Sequence, residues 1–321
     1  MTQTFVLCRV LVYGADGQVG AALTKKLSRM PEVSVTALTR KSVFQAAGRT
    51  CRADLRHPEE AVLAVDEGPW NAVFNCAAMT AVDEAEDPDR AQELRAVNTR
   101  FPVLAHRACK RQGCLFVHLS TDYVYAGEGG EPQSEETPTL PLNAYGHSKA
   151  EADRKILQDL ADDVVLRTSW IVSATGRNFL RTILDLARKR TTLCVVNDQI
   201  GTPTTADWLA DIMVRVWHKH RVCPGSLRGI YHAVPDGEAV SWHAFARWIV
   251  QKAAELDTDL VLGAENITPV TSAQYGARAL RPKNSRLANS KLKAALGTES
   301  FGDWADYAEA TLSTCIKERQ R

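Results

Sequence analysis

The stretch Val10-Leu-Val-Tyr13-Gly14-Ala-Asp-Gly17-Gln-Val-Gly20 decides the fold of this 321-residue chain. The apolar run from Cys8 to Tyr13 predicts a strand, and the amphipathic stretch from Val19 to about Met30 predicts a helix. Glycines between them let the backbone turn tightly and approach a pyrophosphate, whose charge the N–H groups of the helix N-terminus would receive. The spacing is G-x-x-G-x-x-G and not the commoner G-x-G-x-x-G, which indicates a different branch of nucleotide-binding folds.

Strands and helices alternate regularly up to Trp170, which is typical of an α/β fold with a doubly wound parallel sheet. Further strands are predicted over Val33–Leu38, Cys51–Leu55, Trp70–Cys76, Leu115–Leu119 and Val164–Arg167, and further helices over Pro58–Glu67, Ala91–Gln112 and Ala144–Leu160. Beyond Trp170 the alternation fades, with helices predicted over Asn178–Arg190 and Ala206–His220 and strands over Leu193–Val196 and Gly229–Val234.

Composition favours a small-molecule partner. The net charge of +1 lacks the excess of positive charge that is typical of proteins that bind nucleic acid or anionic lipid. No apolar run reaches the roughly 18 residues of a membrane span. We therefore expect a cytoplasmic protein without nucleic-acid or membrane partners. The eight cysteines are scattered without a C-x-x-C pair, so we expect buried thiols and no metal ligands.

Polar and small residues follow several predicted strands, where ligands of open α/β sheets bind. Arg40 follows the second strand, and an arginine there suits a 2'-phosphate, which favours NADP over NAD; a solvated loop residue is the alternative. Asp54 ends the third strand, and small residues from Ala77 to Thr80 follow the fourth and would let a cofactor lie flat. The fifth strand delivers Ser120-Thr121-Asp122-Tyr123. The acidic stretch Asp83–Asp89 is interpreted as solvated surface.

Tyr145 and Lys149 lie four residues apart at the start of a predicted helix. Residues at i and i+4 share one helix face, so the phenol and the ammonium can serve one pocket. A cation within roughly 4 to 6 Å lowers the pKa of a phenol, which would bring Tyr145 toward the range of general acid catalysis. The alternative is an exposed helical tyrosine beside a surface lysine.

Taken together, the motifs resemble those of the extended short-chain dehydrogenase/reductases and, within them, the dTDP-4-dehydrorhamnose reductase family. The resemblance covers nearly the whole chain. The motifs that carry it are Gly14-x-x-Gly17-Gln-Val-Gly20, Asn75-Cys-Ala-Ala78, Ser120-Thr-Asp-Tyr-Val124, Tyr145-Gly-x-x-Lys149, Arg167-Thr-Ser-Trp170, Asp198-Gln-x-Gly-x-Pro-Thr204 and Arg281-Pro-x-Asn-Ser285.

The resemblance implies a Rossmann domain over residues 1–170 and a smaller, mainly substrate-binding α/β domain over residues 171–321. Residues from about 205 to 234 would return to the Rossmann sheet. It also implies NADPH as cofactor, with NAD(H) as the alternative, a nucleotide-linked 4-keto-6-deoxy sugar as substrate, and a homodimer as an expectation. Cofactor contacts are implied for Gly14, Gly17, Gln18, Val19, Gly20, Arg40, Asp54, Leu55, Ala77, Ala78, Tyr145 and Lys149.

Catalytic roles are implied for three residues. Thr121 and Tyr145 would hydrogen-bond the 4-keto oxygen, Tyr145 would donate the proton, and Lys149 would hold the nicotinamide ribose and keep the phenol acidic. Substrate contacts are implied for Thr80, Thr121, Asp122, Tyr123, Trp170, Arg281 and Asn284. Trp170 would flank the sugar, with a core aromatic as the alternative. Arg281 would face the nucleotide diphosphate together with Asn284, with a surface ion pair as the alternative for Arg281.

Three positions depart from the family's pattern: Met79 replaces a tyrosine, Ala126 replaces an aspartate, and Arg40 is not the usual residue. They leave the sugar and the cofactor preference open. A nucleotide-sugar 4,6-dehydratase is disfavoured because Tyr123 stands where that class has its glutamate. A nucleotide-sugar epimerase and a non-catalytic regulatory subunit of the methionine adenosyltransferase type remain as alternatives.

Overall fold

A computed structural model describes residues 7–40, 48–257 and 259–319. Its strands are β1 (Cys8–Tyr13), β2 (Val33–Thr39), β3 (Arg49–Arg52), β4 (Ala72–Asn75), β5 (Leu115–Thr121), β6 (Asp163–Thr168), β7 (Ile171–Val172), β8 (Leu193–Val196), β9 (Ile200–Gly201), β10 (Thr204–Thr205), β11 (Gly229–His232), β12 (Val240–Ser241), β13 (Ile267–Val270) and β14 (Asn284–Ser285). Seven of them form one parallel sheet in the order β11-β6-β5-β4-β1-β2-β3. This order reverses between β1 and β4, so the predicted doubly wound sheet is confirmed.

Helices cover both faces of this sheet. They are α1 (Gln18–Leu27), α2 (Pro58–Asp66), α3 (Ala91–Arg95), α4 (Phe101–Gln112), α5 (Ala144–Gln158), α6 (Phe179–Ala187), α7 (Ala206–Val222), α8 (Trp242–Ala254), α9 (Ser272–Tyr275), α10 (Ser290–Leu296) and α11 (Trp304–Arg319). Strand β1 shows why both faces must be covered. Its Val10 and Val12 lie in the core with α1 and α7, whereas Leu11 and Tyr13 lie in the core with α2 and α4. Alternate side chains of a strand point to opposite faces, so a strand with no polar face needs two helical layers.

Two predicted elements differ from the structure. The third strand lies at Arg49–Arg52, a few residues before the predicted Cys51–Leu55. The predicted helix Ala91–Gln112 is interrupted by a π-helical segment, Ala96–Arg100, between α3 and α4. Such segments insert one extra residue into a helix and are frequent at functional sites.

The chain from Ala206 to His232 lies on the large sheet. Strand β11 pairs with β6 in parallel, and α7 packs against α1. A second core forms elsewhere, where Trp170 and α6 meet α8 and α11. The division into domains at residue 170 stays a prediction. Among the described residues, no helix combines the length and the apolar character needed to cross a bilayer.

Candidate active site

The glycine turn at the carboxyl end of β1 lies directly against the turn that follows β4. Gly14 has a positive φ of 72°, and a Cβ there would lie 2.8 Å from the backbone of Ala77. A Cβ at Gly20 would lie 2.0 Å from the Gly14 carbonyl oxygen. Gly17 precedes α1 and has no side chain to cap its first amides. The N-terminus of α1 therefore lies without a side-chain cap at the point where the strand order reverses, which suits a phosphate.

The turn also contacts the C-terminal half of the chain. Gln18, the first residue of α1, accepts a hydrogen bond of 3.0 Å from the Asn178 amide through its Oε1 atom. Asn178 caps α6 by accepting from the Arg181 backbone N–H. The predicted pyrophosphate site is therefore tied to the helix that begins the second core.

Side chains of the π-helical segment Ala96–Arg100 hydrogen-bond to the loop after β4 and to α5. Asn98 Oδ1 accepts from the Met79 backbone N–H at 2.8 Å, and its Nδ2 donates to the Met79 carbonyl at 3.1 Å and to Ser148 Oγ at 3.1 Å. Thr99 Oγ1 donates to the Ser148 carbonyl at 2.8 Å. Because Ser148 lies on α5, these bonds fix the helix that carries Tyr145 and Lys149 relative to the loop at Ala77.

Tyr145 lies at the start of α5, whose N-cap Asn143 accepts from the Gly146 backbone N–H at 2.7 Å. Its half-buried ring meets the edge of the Tyr123 ring at a centroid distance of 5.8 Å. Burial raises the pKa of the Tyr145 phenol above its ordinary value, and a hydrogen bond with the Thr121 hydroxyl opposes this rise. The structure therefore brings Thr121, Tyr123 and Tyr145 together at the carboxyl edge of β5.

The amine of Lys149 is directed toward β5. Only 1% of its surface is exposed, and its Nζ donates to the Leu119 carbonyl at 2.7 Å and lies 3.1 Å from His118 Nε2. Burial lowers the pKa of Lys149 to about 8, against the opposing effects of Asp153 and Cys76. In this conformation the amine is turned toward the Leu119 carbonyl and burial dominates at the phenol, and the effect of Lys149 on the pKa of Tyr145 stays a prediction.

Asp122 lies beside Thr121 in a buried position. Its Oδ1 atom accepts from the Thr121 hydroxyl at 3.0 Å, and its Oδ2 atom is buried without a hydrogen-bond partner among the described residues. Burial raises the pKa of Asp122 to about 6, although hydrogen bonds from Ser285 and Thr121 oppose the rise. An unpartnered carboxylate oxygen at this edge is compatible with the predicted contact to a substrate hydroxyl.

The remaining predicted cofactor residues lie at the ends of neighbouring strands. Arg40 is exposed directly after β2. Asp54 is held by the Arg56 guanidinium, whose hydrogen bonds lower the pKa of that carboxyl to about 2. Leu55 is buried, and Ala78 is half-buried after β4. Thr80, a predicted substrate contact, is exposed on the same loop as Ala78.

Arg281 pairs with Asp83 in the described conformation. Its Nη2 donates to Asp83 Oδ2 at 2.6 Å and its Nη1 to Oδ1 at 3.2 Å, while a hydrogen bond links it to Tyr123. Glu86 accepts from the Ala144 backbone N–H at 2.7 Å. Asp83 and Glu86 of the acidic stretch therefore contact distant parts of the chain, although 49% of the Asp83 side chain is exposed to solvent.

Asn284 is buried at 3% exposure and uses its side chain within the protein. Its Nδ2 donates to the Glu131 carbonyl at 2.7 Å, and its Oδ1 accepts from the Arg286 backbone N–H at 3.2 Å. The contact of Asn284 with a nucleotide diphosphate stays a prediction. Asn284 anchors the loop after Gly127 to β14.

Trp170 follows β6 with a positive φ of 49°. Its ring stacks on Trp242 at a centroid distance of 3.5 Å, and a Cβ at Gly201 would meet it at 2.6 Å. With 7% of its surface exposed, Trp170 belongs to the second core, as the alternative reading predicted. A positive φ is unusual for a bulky residue, and such strain clusters at functional sites.

Comparison with known proteins identifies the family. The model described as the RmlD substrate binding domain matches residues 8–317. This chain belongs to the RmlD substrate binding domain family. It is 37% identical over 313 residues to the dTDP-4-dehydrorhamnose reductase of Burkholderia thailandensis, covering 97% of this chain and 98% of that relative. It is 34% identical over 287 residues to the dTDP-4-dehydrorhamnose reductase of Escherichia coli strain K12, covering 88% and 90%.

A solved structure is similar along nearly the whole length. It is the dTDP-4-dehydrorhamnose reductase of Bacillus anthracis in complex with NADP, with a TM-score of 0.82 and 28% identity, and the match covers 95% of this chain and 98% of that one. The resemblance drawn from seven sequence motifs is confirmed by these matches.

Sequence reasoning gave no role to several residues that hold this RmlD-family site together. His118 contacts Lys149, and Asn98 clamps the loop after β4. Asp153 Oδ2 accepts from Ser120 Oγ at 3.0 Å and from Arg167 Nε at 2.9 Å, with both charged side chains buried. A signal for Asp153 was present, since it lies four residues after Lys149 on the same face of α5.

Proposed function

We propose that this protein reduces the 4-keto group of a dTDP-linked 4-keto-6-deoxy sugar with NADPH, as in dTDP-L-rhamnose or related deoxysugar biosynthesis. The observation that carries the proposal is Tyr145, hydrogen-bonded with Thr121 at the carboxyl edge of β5. The dTDP-4-dehydrorhamnose reductases of Burkholderia thailandensis and Escherichia coli match nearly the full chain, which supports the same activity.

The described residues fit a dinucleotide. The close approach of Gly14 to Ala77 and the uncapped start of α1 leave bare backbone for a pyrophosphate. The relative from Bacillus anthracis was solved with NADP, which supports NADPH as the cofactor of this chain. Arg40 would hold the 2'-phosphate, and NADH is the alternative cofactor. When bound, the cofactor supplies the hydride that reduces C4.

Tyr145 acts as the proton donor in this proposal. Thr121 and Tyr145 hydrogen-bond the keto oxygen and stabilise the negative charge that develops on it as C4 is reduced. The O–H bond of Tyr145 breaks as the proton moves to that oxygen, which leaves a phenolate and a 4-hydroxyl group. Because the pKa of Tyr145 is raised, the phenol carries its proton throughout the neutral range before the reaction.

The substrate side is formed by residues from both halves of the chain. Asp122 would accept a hydrogen bond from a sugar hydroxyl through its unpartnered Oδ2 atom. Trp170, which the resemblance places beside the sugar, is mostly buried and could offer the sugar only the small part of its surface that stays exposed. Arg281 would exchange part of its pairing with Asp83 for a diphosphate oxygen, which a guanidinium binds through two parallel N–H groups.

The test is a spectrophotometric assay of NADPH oxidation with dTDP-4-keto-6-deoxy sugar, run beside the Tyr145→Phe variant. We expect substrate-dependent loss of NADPH, a roughly 100-fold or larger fall in kcat for Tyr145→Phe, and an unchanged NADPH Kd. Tyr275→Phe, at an exposed tyrosine, is the matched control and should keep the rate. A Tyr145→Phe variant with normal kcat would show that Tyr145 is not the proton donor. A wild-type protein that turns over no 4-keto sugar would contradict the proposed reductase function.

We also propose a cytoplasmic homodimer. Both NADPH and nucleotide sugars are cytoplasmic metabolites, and the dimer follows from the family resemblance alone. Light scattering should give twice the chain mass of 35.3 kDa. A mass of one chain would contradict the dimer without affecting the proposed reaction.

A further inference from the structure

Asn178 holds the side chain of Gln18 at the start of α1. Its Nδ2 atom donates to Gln18 Oε1 at 3.0 Å, and the two residues are 160 positions apart in the chain. Asn178 is 9% exposed, and Gln18 is half-buried. A Cβ at Gly176 would lie 3.2 Å from Gln18 Cγ, so the backbone before Asn178 also lies against this side chain. The loop that leads into α6 therefore contacts both the stem and the amide of Gln18.

Two backbone groups set the orientation of the Asn178 amide. The Arg181 N–H can only donate, so the Asn178 atom at 3.2 Å from it must be the acceptor Oδ1. The Ser173 carbonyl can only accept, so the Asn178 atom at 2.8 Å from it must be the donor Nδ2. The two assignments agree. Nδ2 is therefore the atom of Asn178 that faces Gln18.

The orientation of Asn178 fixes that of Gln18 in turn. Because Nδ2 can only donate, the Gln18 atom that faces it must be the acceptor Oε1, and the donor Nε2 must point away from Asn178. Gln18 is the first residue of α1, and the first turn of this helix has neither a side-chain cap nor an acidic residue. The N–H groups of the Gln18 amide and of the helix N-terminus thus belong to one turn, which suits an anion.

We propose that Asn178 is a positioning residue for the cofactor, which turns the Gln18 amide so that Nε2 donates to the pyrophosphate of NADPH. The inference rests on the proposed function, because it concerns the same dinucleotide site. Without Asn178, the amide could also adopt the opposite orientation, in which Oε1 would face the phosphate oxygens and repel them. A side chain that is already held in its binding orientation loses less conformational entropy when the ligand binds.

The experiment measures the Kd for NADPH of the intact protein by fluorescence titration. Asn178→Ser is the test variant, because a serine hydroxyl still caps α6 but is too short to donate to Gln18. We expect the Kd to rise about tenfold, which is the effect of losing one hydrogen bond to a charged group. Asn266→Ser, the same substitution at an exposed asparagine, is the control and should leave the Kd unchanged.

A double-mutant cycle with Gln18→Ala separates positioning from a general disturbance of the site. Gln18→Ala alone should raise the Kd for NADPH about tenfold, and adding Asn178→Ser should then change it less than about twofold, because no amide is left to orient. Adenosine 2'-monophosphate has no pyrophosphate and should bind to all variants with the same Kd. Additive effects of the two substitutions would overturn the proposal, as would an equal loss of affinity for adenosine 2'-monophosphate.

Asn178→Asp decides the question if Asn178→Ser fails to fold. An aspartate keeps the size and the cap but can only accept, so Gln18 would turn Nε2 toward it and Oε1 toward the pyrophosphate. We expect a larger rise in the Kd for NADPH than in the Gln18→Ala background, where only the repulsion between charges remains. Equal rises in both backgrounds would overturn the positioning role and leave the proposed function intact. A wild-type protein that binds no NADPH would contradict both.

Discussion

Asp153 and Arg167 form a buried ion pair between α5 and β6, with Arg167 Nε 2.9 Å from Asp153 Oδ2. Arg167 also donates from Nη1 to the Tyr125 hydroxyl at 2.7 Å, and that hydroxyl lies 2.7 Å from His232 Nε2 in β11. The network thus ties the helix that carries Tyr145 and Lys149 to the two strands at one edge of the sheet. Removing one charge would leave the other buried without a partner.

We predict that Asp153→Ala lowers the free energy of unfolding by about 3 to 5 kcal/mol, because Arg167 keeps its charge in an enclosed site. The matched control is Asp162→Ala, which breaks the exposed pair with Arg228 and should cost less than about 1 kcal/mol. Urea unfolding at pH 7 measures both. Equal effects of the two substitutions would contradict the role of burial.

The second prediction compares two glycines that share a positive φ. Gly14→Ala would place a Cβ 2.8 Å from the Ala77 backbone, whereas the same change at Gly113, with φ of 64°, meets no atom within 4 Å. We expect Gly113→Ala to lower the free energy of unfolding by about 1 kcal/mol from backbone strain alone, and Gly14→Ala by about 3 kcal/mol. Thermal unfolding measures the stability of each variant.

We expect the two glycine variants to differ in their affinity for NADPH as well as in stability. Gly14→Ala should raise the Kd for NADPH at least about tenfold, because the added methyl group would distort the turn that binds the pyrophosphate. Gly113→Ala should leave this Kd unchanged. Fluorescence titration with NADPH gives both values. A Gly14→Ala protein that is folded and binds NADPH normally would show that the turn is not the phosphate site.

The sequence predicted those features of the fold that depend on residues close to each other along the chain. β1, the glycine turn and α1 follow from apolar periodicity and from glycines that only this turn requires, and the doubly wound parallel sheet follows from the alternation of strands and helices. The π-helical segment at Ala96–Arg100 was missed because no glycine or proline within it marks the interruption.

The direction of the site's side chains could not be predicted in the same way. Tyr145 and Lys149 do share α5, but the rotamer of Lys149 is decided by His118 and Leu119, about thirty residues earlier in the chain. Arg281 likewise meets Asp83 across 198 residues. Spacing within one element therefore located the chemical groups, while contacts distant in sequence determined their protonation and partners.

The third prediction concerns Arg281, whose guanidinium links Tyr123 to Asp83. Arg281→Lys keeps the charge but cannot form the two parallel bonds, so we expect the KM for the sugar nucleotide to rise about tenfold with little change in the KM for NADPH. Steady-state kinetics with each substrate varied in turn measures both constants. Arg278→Lys, at a nearby arginine that donates to the Glu86 carbonyl, is the control and should change neither. An equal rise in both KM values would place Arg281 outside the substrate side.

The fourth prediction is a pH dependence of stability at Asp236. Burial would raise the pKa of this carboxyl, but hydrogen bonds from Lys293, the Phe301 backbone, Asn289 and Ser300 outweigh it and lower the pKa to about 2. A lowered pKa in the folded state means that the carboxylate stabilises the fold above its unfolded pKa of about 3.9. That stabilisation, about 2 kcal/mol, is lost as the pH falls toward 2.

Asp236→Asn should therefore lower the free energy of unfolding by about 2 kcal/mol at pH 7, and the difference from the wild type should shrink steadily below pH 4. Urea unfolding at a series of pH values measures it. Glu299→Gln, at an exposed carboxylate in the same segment, is the control and should stay close to the wild type at every pH. A deficit of Asp236→Asn that is the same at pH 7 and pH 2.5 would mean that the lost stability comes from packing, since packing contacts do not titrate in this range whereas the charge of Asp236 does.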